Sequence, residues 1–544
     1  MKYHILLTTF LLCIFLGACA PTDQLDVSTL SSEPGVDDAF LATLYFPPYL
    51  PKDMRQSIQL PEGVLMTDEI EKADIRLDVS GDAPASRWTY VLVAPFATVE
   101  DEVTLQDLQR FWRGEEGVTF PAGRLIMEGG TQAVFTKLWG NPSTANIASV
   151  SADLLQSTAW KEKTIWALVP FENLDPQWKV ISVDGISPIE KEFDPDSYGL
   201  NVTFSFLGKA EILTKFNDLY GLGSERALIP ASNRDDEKLT IVALTGVTAL
   251  VRGTASLMER FGMTYPAMDI GGVLRNADIT HISNEIPFVP TCPNPFSNPN
   301  NDQNLIFCSK PEYIQLLEAV GADVIELTGD HFRDWGAEAM NYTLDMYEAR
   351  GWQYYGGGRN LTDGQEPALI VHNGNRIAFL GCNAKPSGYA TASETSPGAV
   401  HCDLDVMTEK VKEVIEQGYL PIFTFQHIEY YRYTAESHLI EDFHRMADAG
   451  AIIVSGSQAH QPHALEFYRG ALLHYGLGNL FFDQYLEGFA RRQAFIDMHV
   501  FYDGKFISTK LVTILFIDLA RPRLMTSAER QTLLKDIFFA SNWQ

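Results

Sequence analysis

Short apolar runs rich in β-branched residues recur through the second half of the chain, and each one ends at a polar loop. Runs of this length, bounded by turn residues, predict strands that are buried on both faces of a sheet. The predicted strands are KLTIVALT (238–245), ADITHIS (277–283), ADVIELT (322–328), RIAFLG (376–381), LPIFTF (420–425), AIIVSG (451–456) and ALLHYGLG (471–478).

Segments with a helical period lie between these strands. A helix predicted over residues 336–350 carries an apolar face and ends at Gly351. Helices predicted over residues 406–418 and 438–450 also end at a glycine, which is a common C-terminal stop signal. This alternation of strands and helices predicts an α/β domain.

The first half, residues 39–235, alternates strands and helices in the same way. WTYVLVAPF (88–96) and TIWALVPF (164–171) have strand character, and TLQDLQRFW (104–112) has the period of an amphipathic helix. The stretches around them resemble periplasmic solute-binding domains of the phosphate-binding-protein type. The resemblance implies a periplasmic-binding-protein-like α/β domain, and an α/β domain with a purely structural role is the alternative.

The N-terminus carries a targeting pattern. Residues 1–18 have an early lysine, an apolar core and a small-residue end, which predicts a secretory signal peptide. The sequence LGAC fits a lipobox, so we expect cleavage before Cys19, lipidation of its thiol and a flexible tether over residues 19–38. The predicted location is the extracytoplasmic face of the cell membrane, through a lipid anchor. An ordinary signal peptide or a transmembrane anchor is the alternative interpretation.

The formal net charge of −29 narrows the choice of partners. A chain this acidic is a poor candidate for nucleic-acid binding, because phosphate backbones are bound by basic surfaces. Its charge would not attract it to anionic lipids either, which agrees with anchoring by acyl chains.

Cysteine usage predicts disulfide bonds. Four cysteines remain beyond the signal and the predicted lipid site: Cys292, Cys308, Cys382 and Cys402. In an exported protein an even number of cysteines favours disulfides, and the simplest pairing is Cys292 with Cys308 and Cys382 with Cys402. Closing a loop of about 15 residues contributes about 3 kcal/mol in the chain-entropy model. The other two pairings stay open at this point.

Polar side chains of metal-ligand type gather where the predicted strands end. In α/β sheets, ligand sites form beyond the carboxyl ends of the strands. Histidines, carboxylates and amides at one edge are suitable ligands for a divalent ion such as Mn, Zn or Fe. The residues that follow four of the strands are Asn284 and Glu285; Asp330, His331 and Asp334; Gln426, His427 and Glu429; and Gln458, His460 and His463.

Each of these residues also has a structural interpretation. His331 and Asp334 are placed to cap the following helix. His427 and Glu429 lie among tyrosines to which they can hydrogen-bond, and His463 follows a proline in a predicted surface loop. The functional prediction therefore depends on the convergence of several strand ends rather than on any one residue.

The second half resembles a known family of bacterial proteins. Residues 238–485 resemble the CapA family of capsule and poly-γ-glutamate synthesis proteins, which have a metallophosphatase-like fold. The resemblance implies an αββα sandwich over residues 238–520 that follows the solute-binding-like α/β domain, and a C-terminal helical tail over residues 521–544. The stretches that carry it are ADITHISNEIPF, ELTGDHFRDWGAEAMNYTLDMYEARGWQYYGGGRN, RIAFLGCN, FTFQHIEYYRYTAESH and DAGAIIVSGSQAHQPHALEFYRGALLHYGLGNLFFDQ.

The resemblance implies roles for individual residues. His331 stands at the position of a histidine that assists at the reacting oxygen, and Arg333 is placed to hold an anionic group. The implied metal ligands are Glu285, Asp330, His427 and His460. The residues expected to contact substrate are Asn284, Asp334, Gln458, His463 and Asn479.

Two departures from the family pattern weaken a two-metal site. Val247 stands where the family has an aspartate ligand, and Gln458 replaces a histidine. Valine cannot bind a metal and glutamine is a weaker ligand than imidazole. A single metal, or none, is therefore the expectation.

These observations lead to three hypotheses of function. The first is a surface-anchored, metal-dependent hydrolase or transferase that acts on an anionic envelope polymer such as poly-γ-glutamate or a capsule component. The second is a non-catalytic lipoprotein that binds or guides the exported polymer and has a degraded metal site. The third is a solute receptor in which the first half of the chain dominates.

Overall fold

The structure is a computed structural model that describes residues 41–79, 84–295, 305–386, 388 and 390–543. The predicted signal peptide, Cys19 and the tether lie outside the described residues. None of the described helices is long and apolar enough to cross a membrane.

The first half of the chain forms one mixed sheet with helices packed on it. Its elements are β1 (Ala42–Tyr45), α1 (Lys52–Ser57), β2 (Val64–Met66), β3 (Ile75–Val79), β4 (Pro84–Pro95), β5 (Glu102–Val103), α2 (Leu105–Arg113), β6 (Arg124–Met127), α3 (Gly129–Trp139), β7 (Ile147–Ser149), α4 (Ala152–Glu162), β8 (Ile165–Pro170), β9 (Trp178–Val180), β10 (Ser182–Val183), β11 (Asn201–Gly208) and α5 (Ala210–Tyr220). The strands of the sheet lie in the order β2-β1-β3-β11-β4-β8-β6-β7, and β9 pairs with β4.

The second half contains two further sheets and the helices that cover them. Its elements are β12 (Leu239–Thr245), β13 (Val247–Thr248), α6 (Arg252–Phe261), α7 (Gly271–Arg275), β14 (Ile279–Asn284), α8 (Ile314–Ala319), β15 (Val324–Glu326), α9 (Gly336–Glu348), β16 (Gln353–Tyr355), β17 (Gly357–Gly358), α10 (Leu361–Gly364), β18 (Ala368–His372), β19 (Asn375–Asn383), β20 (Gly398–Ala399), α11 (Leu404–Glu416), β21 (Leu420–Gln426), α12 (Ser437–Ala449), β22 (Ile453–Ser455), β23 (Leu465–Tyr468), β24 (Ala471–His474), β25 (Asn479–Phe481), β26 (Gln493–Tyr502), β27 (Lys505–Phe516), β28 (Pro522–Leu524) and α13 (Ser527–Ala540).

The two sheets of the second half pack face to face as an αββα sandwich. One sheet has the order β16-β15-β14-β12-β26-β27-β28 and the other has the order β18-β19-β21-β22-β24-β23. Leu244 and Val324 of the first sheet share one apolar core with Phe379 and Leu472 of the second. The helices α6 to α9 cover the outer face of the first sheet, and α11 and α12 cover that of the second. The predicted α/β fold class, with a sandwich in the second half, is confirmed.

The strands at the centre of each sheet run parallel, which sets where the polar loops lie. β12, β14, β15 and β16 are parallel, as are β19, β21, β22 and β24. Their apolar sequences are buried on both faces, as expected for parallel strands. The polar residues that follow them therefore lie at one edge of each sheet.

The halves of the chain also contact each other. Arg530 of α13 forms a two-pronged ion pair with Asp101, with distances of 2.7 and 2.8 Å, and Lys510 of β27 contacts Glu190 at 2.5 Å. The C-terminal helix buries Leu533, Leu534, Ile537 and Phe538 in the sandwich core. The tail is thus packed against both halves of the chain.

Both disulfide bonds have the predicted pairing. Cys292 bonds to Cys308, and Cys382 bonds to Cys402. The first closes the loop between β14 and α8, and the second joins the end of β19 to the segment before α11. Both bonds therefore fasten loops that leave the strand-end edge.

Candidate functional site

A cluster of three ligand-type residues lies where β14 and β15 end. One ligand atom from each of Glu285, Asp330 and His331 lies within 4.8 Å of the other two. Glu285 directly follows β14, and the other two residues follow β15, its parallel neighbour. Parallel pairing of adjacent strands brings their carboxyl ends together. The pairing of β14 with β15 therefore places Glu285 beside Asp330, although 45 residues separate them in the sequence.

Close backbone packing holds this cluster together. A Cβ atom added to Gly329 would lie 2.7 Å from the Glu285 Cα and 2.9 Å from its carbonyl oxygen. Only glycine allows so close an approach. The Gly329-Asp330-His331 turn can therefore pack directly on the backbone of Glu285.

The second sheet contributes a lysine to the cluster. Lys385, in the loop after β19, donates a hydrogen bond from Nζ to the Asp330 Oδ2 at 2.7 Å and another to Glu429. Gln426, the last residue of β21, donates to the Asp330 Oδ1 at 2.8 Å and accepts from Asn383 at 2.7 Å. Asp330, which follows a strand of the first sheet, is thus held by two side chains of the second sheet.

The two carboxyl groups of the cluster have opposite pKa shifts. Burial raises the pKa of Glu285 to about 8, and the nearby Asp330 carboxylate raises it further against the opposing effect of His331. Burial also acts to raise the pKa of Asp330, but the Lys385 ammonium outweighs it and holds that pKa at about 2. Asp330 is therefore ionised at neutral pH, whereas Glu285 is largely protonated.

His331 is held as a charged imidazole. Burial acts to lower its pKa, but the hydrogen bond to Asp334 and the neighbouring carboxylates raise it to about 9. Its Nδ1 lies 2.8 Å from the Asp334 Oδ2, which also accepts from the Phe307 backbone N–H at 2.7 Å. Asp334 thus orients His331 and leaves Nε2 available to donate a proton. It does not cap α9, whose N-cap residue is Trp335.

His460 is buried beside the same groups and is oriented by Asn479. Its Nδ1 lies 2.8 Å from the Asn479 Oδ1, and the amide of Asn479 donates back to the His460 carbonyl at 3.2 Å. Burial lowers the pKa of His460, and the Glu429 carboxylate opposes this effect. The imidazole is therefore neutral, with Nε2 left as an acceptor.

Two amide side chains near the strand ends keep an oxygen without a partner. Asn284 donates to the Ile286 carbonyl and to the Tyr347 hydroxyl, both at 2.7 Å, and Gln458 donates to the Ser283 hydroxyl. Within the described residues, the side-chain oxygens of Asn284 and Gln458 are buried and accept no hydrogen bond. Buried acceptors of this kind are unusual and suit a cation or a donor group of a ligand.

Three of the predicted site residues have contacts outside the cluster. The His427 Nε2 lies 3.3 Å from the Asp442 carboxylate of α12, so the structure does not bring this predicted ligand to Glu285 and Asp330. The His463 Nε2 donates to the Tyr430 carbonyl at 3.0 Å, and burial lowers the pKa of this imidazole to about 4. Arg333 is exposed and donates to the Thr391 carbonyl at 3.2 Å.

One side of the site is apolar. A cluster that we call the apolar wall consists of Val247, Ala249, Val251, Ile286, Phe307 and Phe482. The Phe307 ring lies 4.8 Å from the His331 ring, and the Phe482 ring lies 5.0 Å from that of His460, measured between ring centroids. Val247, at the position where the family has an aspartate, is fully buried in this wall.

The residues present fit one divalent ion. Glu285 and Asp330 would hold it, because their ligand atoms converge and carboxylate oxygens are suitable donors, and His331 would lie beside it. Ligation by Glu285 would require loss of its proton. They do not fit a second ion in the same way, because Lys385 already neutralises Asp330 and the apolar wall offers no ligand.

A cavity of the molecule lies away from this cluster. It has a volume of about 490 Å³ and lies between the two halves of the chain, where Lys179 and Arg530 line it together with Ile241 and Leu511. None of the cluster residues lines it. The cavity is therefore separate from the strand-end chemistry.

Sequence reasoning missed Lys385 and Asn383. Both follow the strand predicted at 376–381, whose carboxyl end was not among the strand ends predicted to carry the site. The same rule, applied to every parallel strand, would have found them. The apolar wall gave no comparable signal, because its members come from distant loops.

An αββα sandwich with a carboxylate–histidine–lysine site at its strand ends defines the class of this domain, and comparison with known proteins shows which family it resembles. Residues 241–484 match the family model described as "Bacterial capsule synthesis protein PGA_cap". This match agrees with the resemblance to the CapA family that the sequence motifs carry.

Named relatives agree with this family. The chain is 25% identical over 308 residues to "Capsule biosynthesis protein CapA" of Bacillus anthracis, an alignment that covers 56% of this chain and 73% of that protein. It is 25% identical over 185 residues to "PGA biosynthesis protein CapA" of Bacillus subtilis, covering 34% of this chain and 48% of that protein. The chain thus spans about half the length of the second relative.

Solved structures with some likeness to parts of this chain were found. A 5'-nucleotidase precursor from Thermus thermophilus is 12% identical, with a TM-score of 0.33, and the match covers 56% of this chain and 58% of that one. An ABC-type phosphate transport receptor from Vibrio cholerae is 13% identical, with a TM-score of 0.24, and the match covers 31% of this chain and 87% of that one. Scores this low carry no argument about function.

Proposed function

We propose that this chain is a surface-anchored protein of capsule or poly-γ-glutamate synthesis that acts on the anionic envelope polymer as a metal-dependent hydrolase or transferase. The lipid anchor at Cys19 and the extracytoplasmic location belong to the same proposal. Capsule and poly-γ-glutamate synthesis are named for the relatives, and the convergence of Glu285, Asp330 and His331 is the observation that carries a catalytic role.

The residues of the site have complementary roles in this proposal. Glu285 and Asp330 would hold the ion, which would supply a Lewis acid to polarise the bond to be cleaved. His331 donates a proton from Nε2 to the departing group, and Asp334 keeps the ring in position. His331 can do this at neutral pH because its pKa is raised to about 9.

Local cations explain how an acidic protein can accept a polyanion. The net charge of −29 repels an anionic chain at long range, but such repulsion is screened beyond about 8 Å at physiological ionic strength. Lys385, His331 and Arg333 lie at or beside the site and provide positive charge at short range. Arg333, which is exposed, is the group we assign to an anionic unit of the polymer.

A non-catalytic role is the second candidate. In that case the domain binds or guides the polymer during export, and the ion is dispensable. The observation that favours it is the burial of Val247 in the apolar wall, which removes a carboxylate ligand from the site.

Polymer shortening by the purified full chain tests the two candidates. Poly-γ-glutamate incubated with the chain and Mn²⁺ should lose length in size-exclusion chromatography, and His331→Ala should slow this at least about 100-fold. The matched control is His444→Ala, because His444 also pairs with a carboxylate, Glu466 at 3.0 Å, but lies on α12 away from the cluster.

The outcomes separate the two roles. Shortening that is lost in the His331 variant but kept in the His444 variant supports catalysis. Retained binding of the polymer without any shortening would overturn the catalytic role and favour the second candidate. A chain that neither binds nor shortens the polymer would contradict both.

A further inference from the structure

A lysine ammonium occupies a position between two carboxylates of the site. The Lys385 side chain is only 10% exposed, and that of its partner Asp330 is 6% exposed. Its Nζ contacts Asp330 at 2.7 Å and also binds Glu429. Because a buried charge requires a partner, these three side chains form one unit in which the ammonium pairs with both carboxylates.

One side of the site carries an apolar surface in place of charged ligands, within the part of the chain that the structure describes. The apolar wall packs its Phe307 ring on His331 and its Phe482 ring on His460. Val247, in the short strand β13 that follows β12, contributes only methyl groups to that wall. The positive charge beside Asp330 and Glu429 is therefore the ammonium of Lys385.

We propose that Lys385 is a built-in cation that replaces one of two divalent ions. The site then takes at most one ion, held by Glu285 and Asp330, and the ammonium provides positive charge in place of a second ion. This inference deepens the proposed function, because it concerns the same site, but it makes a claim about ion binding that holds whether or not the domain cleaves a polymer.

The ammonium also has the capacity to contact an anionic group. An ammonium has three N–H donors, and Asp330 and Glu429 accept two of them. Among the described residues, no acceptor pairs with the third donor. A carboxylate or phosphate oxygen of a ligand is the chemical group that fits this third N–H donor. The ammonium would then contact the same kind of oxygen that a divalent ion binds.

Competition between Lys385 and a metal gives the proposal its test. An ammonium beside Asp330 repels an incoming divalent ion and occupies a carboxylate that the ion needs. Removing the ammonium in Lys385→Gln should therefore improve metal binding. Loss of a metal ligand would do the reverse.

The measurement is Mn²⁺ binding to the purified full chain, by calorimetric titration and by elemental analysis after dialysis. We expect the wild-type chain to bind no more than one ion, and Lys385→Gln to bind one further ion or to bind at least about tenfold more tightly. The matched control is Lys310→Gln, which removes a lysine of similar burial that pairs with Glu259 at 2.5 Å. The control should behave like the wild type.

A second variant guards against loss of folding. If Lys385→Gln does not give folded protein, the double change Lys385→Gln with Glu429→Gln removes one charge of each sign and leaves Asp330 free. It too should bind Mn²⁺ at least about tenfold more tightly than the wild type. Two ions bound to the wild-type chain, or unchanged binding in the variant that folds, would overturn the proposal.

These results are independent of polymer cleavage. If the chain fails to shorten poly-γ-glutamate but Lys385→Gln gains metal, the proposed catalysis fails and the role of Lys385 stands. If the chain shortens the polymer and Lys385→Gln gains no metal, the proposed catalysis stands and the role of Lys385 fails.

Discussion

Two buried glutamates in neighbouring regions of the sandwich differ in their hydrogen-bond partners, and this difference distinguishes a structural residue from a candidate site residue. Glu326 lies at the end of β15 with 0% exposure, and Glu285 lies just beyond β14 with 3% exposure. Glu326 accepts hydrogen bonds from Thr328 at 2.7 Å and from Ser457, and the His281 Nε2 lies 3.3 Å away. Among the described residues, no hydrogen-bond donor is paired with the Glu285 carboxyl group.

The pKa shifts of the two groups follow from this difference. Burial acts to raise the pKa of Glu326, but His281 and the two hydroxyls outweigh it and lower that pKa. Burial raises the pKa of Glu285 to about 8, because no donor compensates for it. A buried acid with a complete set of donors is part of the framework, whereas one without them is available to a cation or a ligand.

Replacing each glutamate by glutamine should give the largest difference in the free energy of unfolding between the two positions. Glu326→Gln removes the charged partner of a fully buried network and should lower the free energy of unfolding by at least about 3 kcal/mol. Glu285→Gln resembles the protonated acid and should change it by less than about 1 kcal/mol. Urea denaturation at pH 7 measures both, and equal losses would contradict the distinction.

A third glutamate, which is half-buried in the first half of the chain, extends the comparison. Glu172 accepts from the Trp88 indole at 3.1 Å and from Asn233 at 2.6 Å. Burial nevertheless raises its pKa to about 7, against the effect of these neutral donors. Neutral donors alone therefore do not keep a buried carboxyl group ionised at low pH.

The pH dependence of the free energy of unfolding should show the raised pKa of Glu172. Because the folded pKa of Glu172 lies above the unfolded value of 4.5, its contribution is present in full below pH 4.5 and is lost as the pH rises through 7. Between pH 5 and 8 the wild-type chain should lose about 2.5 kcal/mol of stability relative to Glu172→Gln. Urea denaturation at several pH values gives the difference, and parallel curves for the two proteins would exclude the shift.

Backbone packing at the site should give the smallest effect. Gly329→Ala places a methyl group 2.7 Å from the Glu285 Cα, so the turn must move and stability should fall by about 1–2 kcal/mol. The control is Gly272→Ala in α7, where an added Cβ meets nothing within 4 Å. Thermal denaturation compares them, and Mn²⁺ binding should weaken only in the Gly329 variant. Equal stability of the two variants would show that the close approach carries no constraint.

Local sequence patterns predicted much of the fold. The helix predicted over 336–350 is observed as Gly336–Glu348, and the strand predicted over 420–425 is observed as Leu420–Gln426. These patterns are reliable because the side-chain periods of helix and strand are fixed by backbone geometry. The disulfide pairing was also predicted, because each bond joins the two cysteines nearest to each other along the chain.

The site was predicted in part. Glu285, Asp330 and His331 came together because they follow adjacent parallel strands, and the strand-end rule covers this case. His427 follows a strand as well, yet its side chain faces Asp442 on α12. The rule gives the position of a backbone at the sheet edge, but the direction of a side chain in a loop depends on the path of that loop.

The sequence by itself determined the α/β class, the order of strands and helices, the family that the second half resembles and the strand ends where its polar groups lie. Only the tertiary structure decided which of those groups meet. Lys385 reaches Asp330 across 55 residues and from the opposite sheet, and Val247 packs with Phe307 and Phe482, which lie far from it along the chain. Periodicity is a local property of the chain, whereas the charge balance of a buried site depends on side chains that only the packing of two sheets brings within reach of each other.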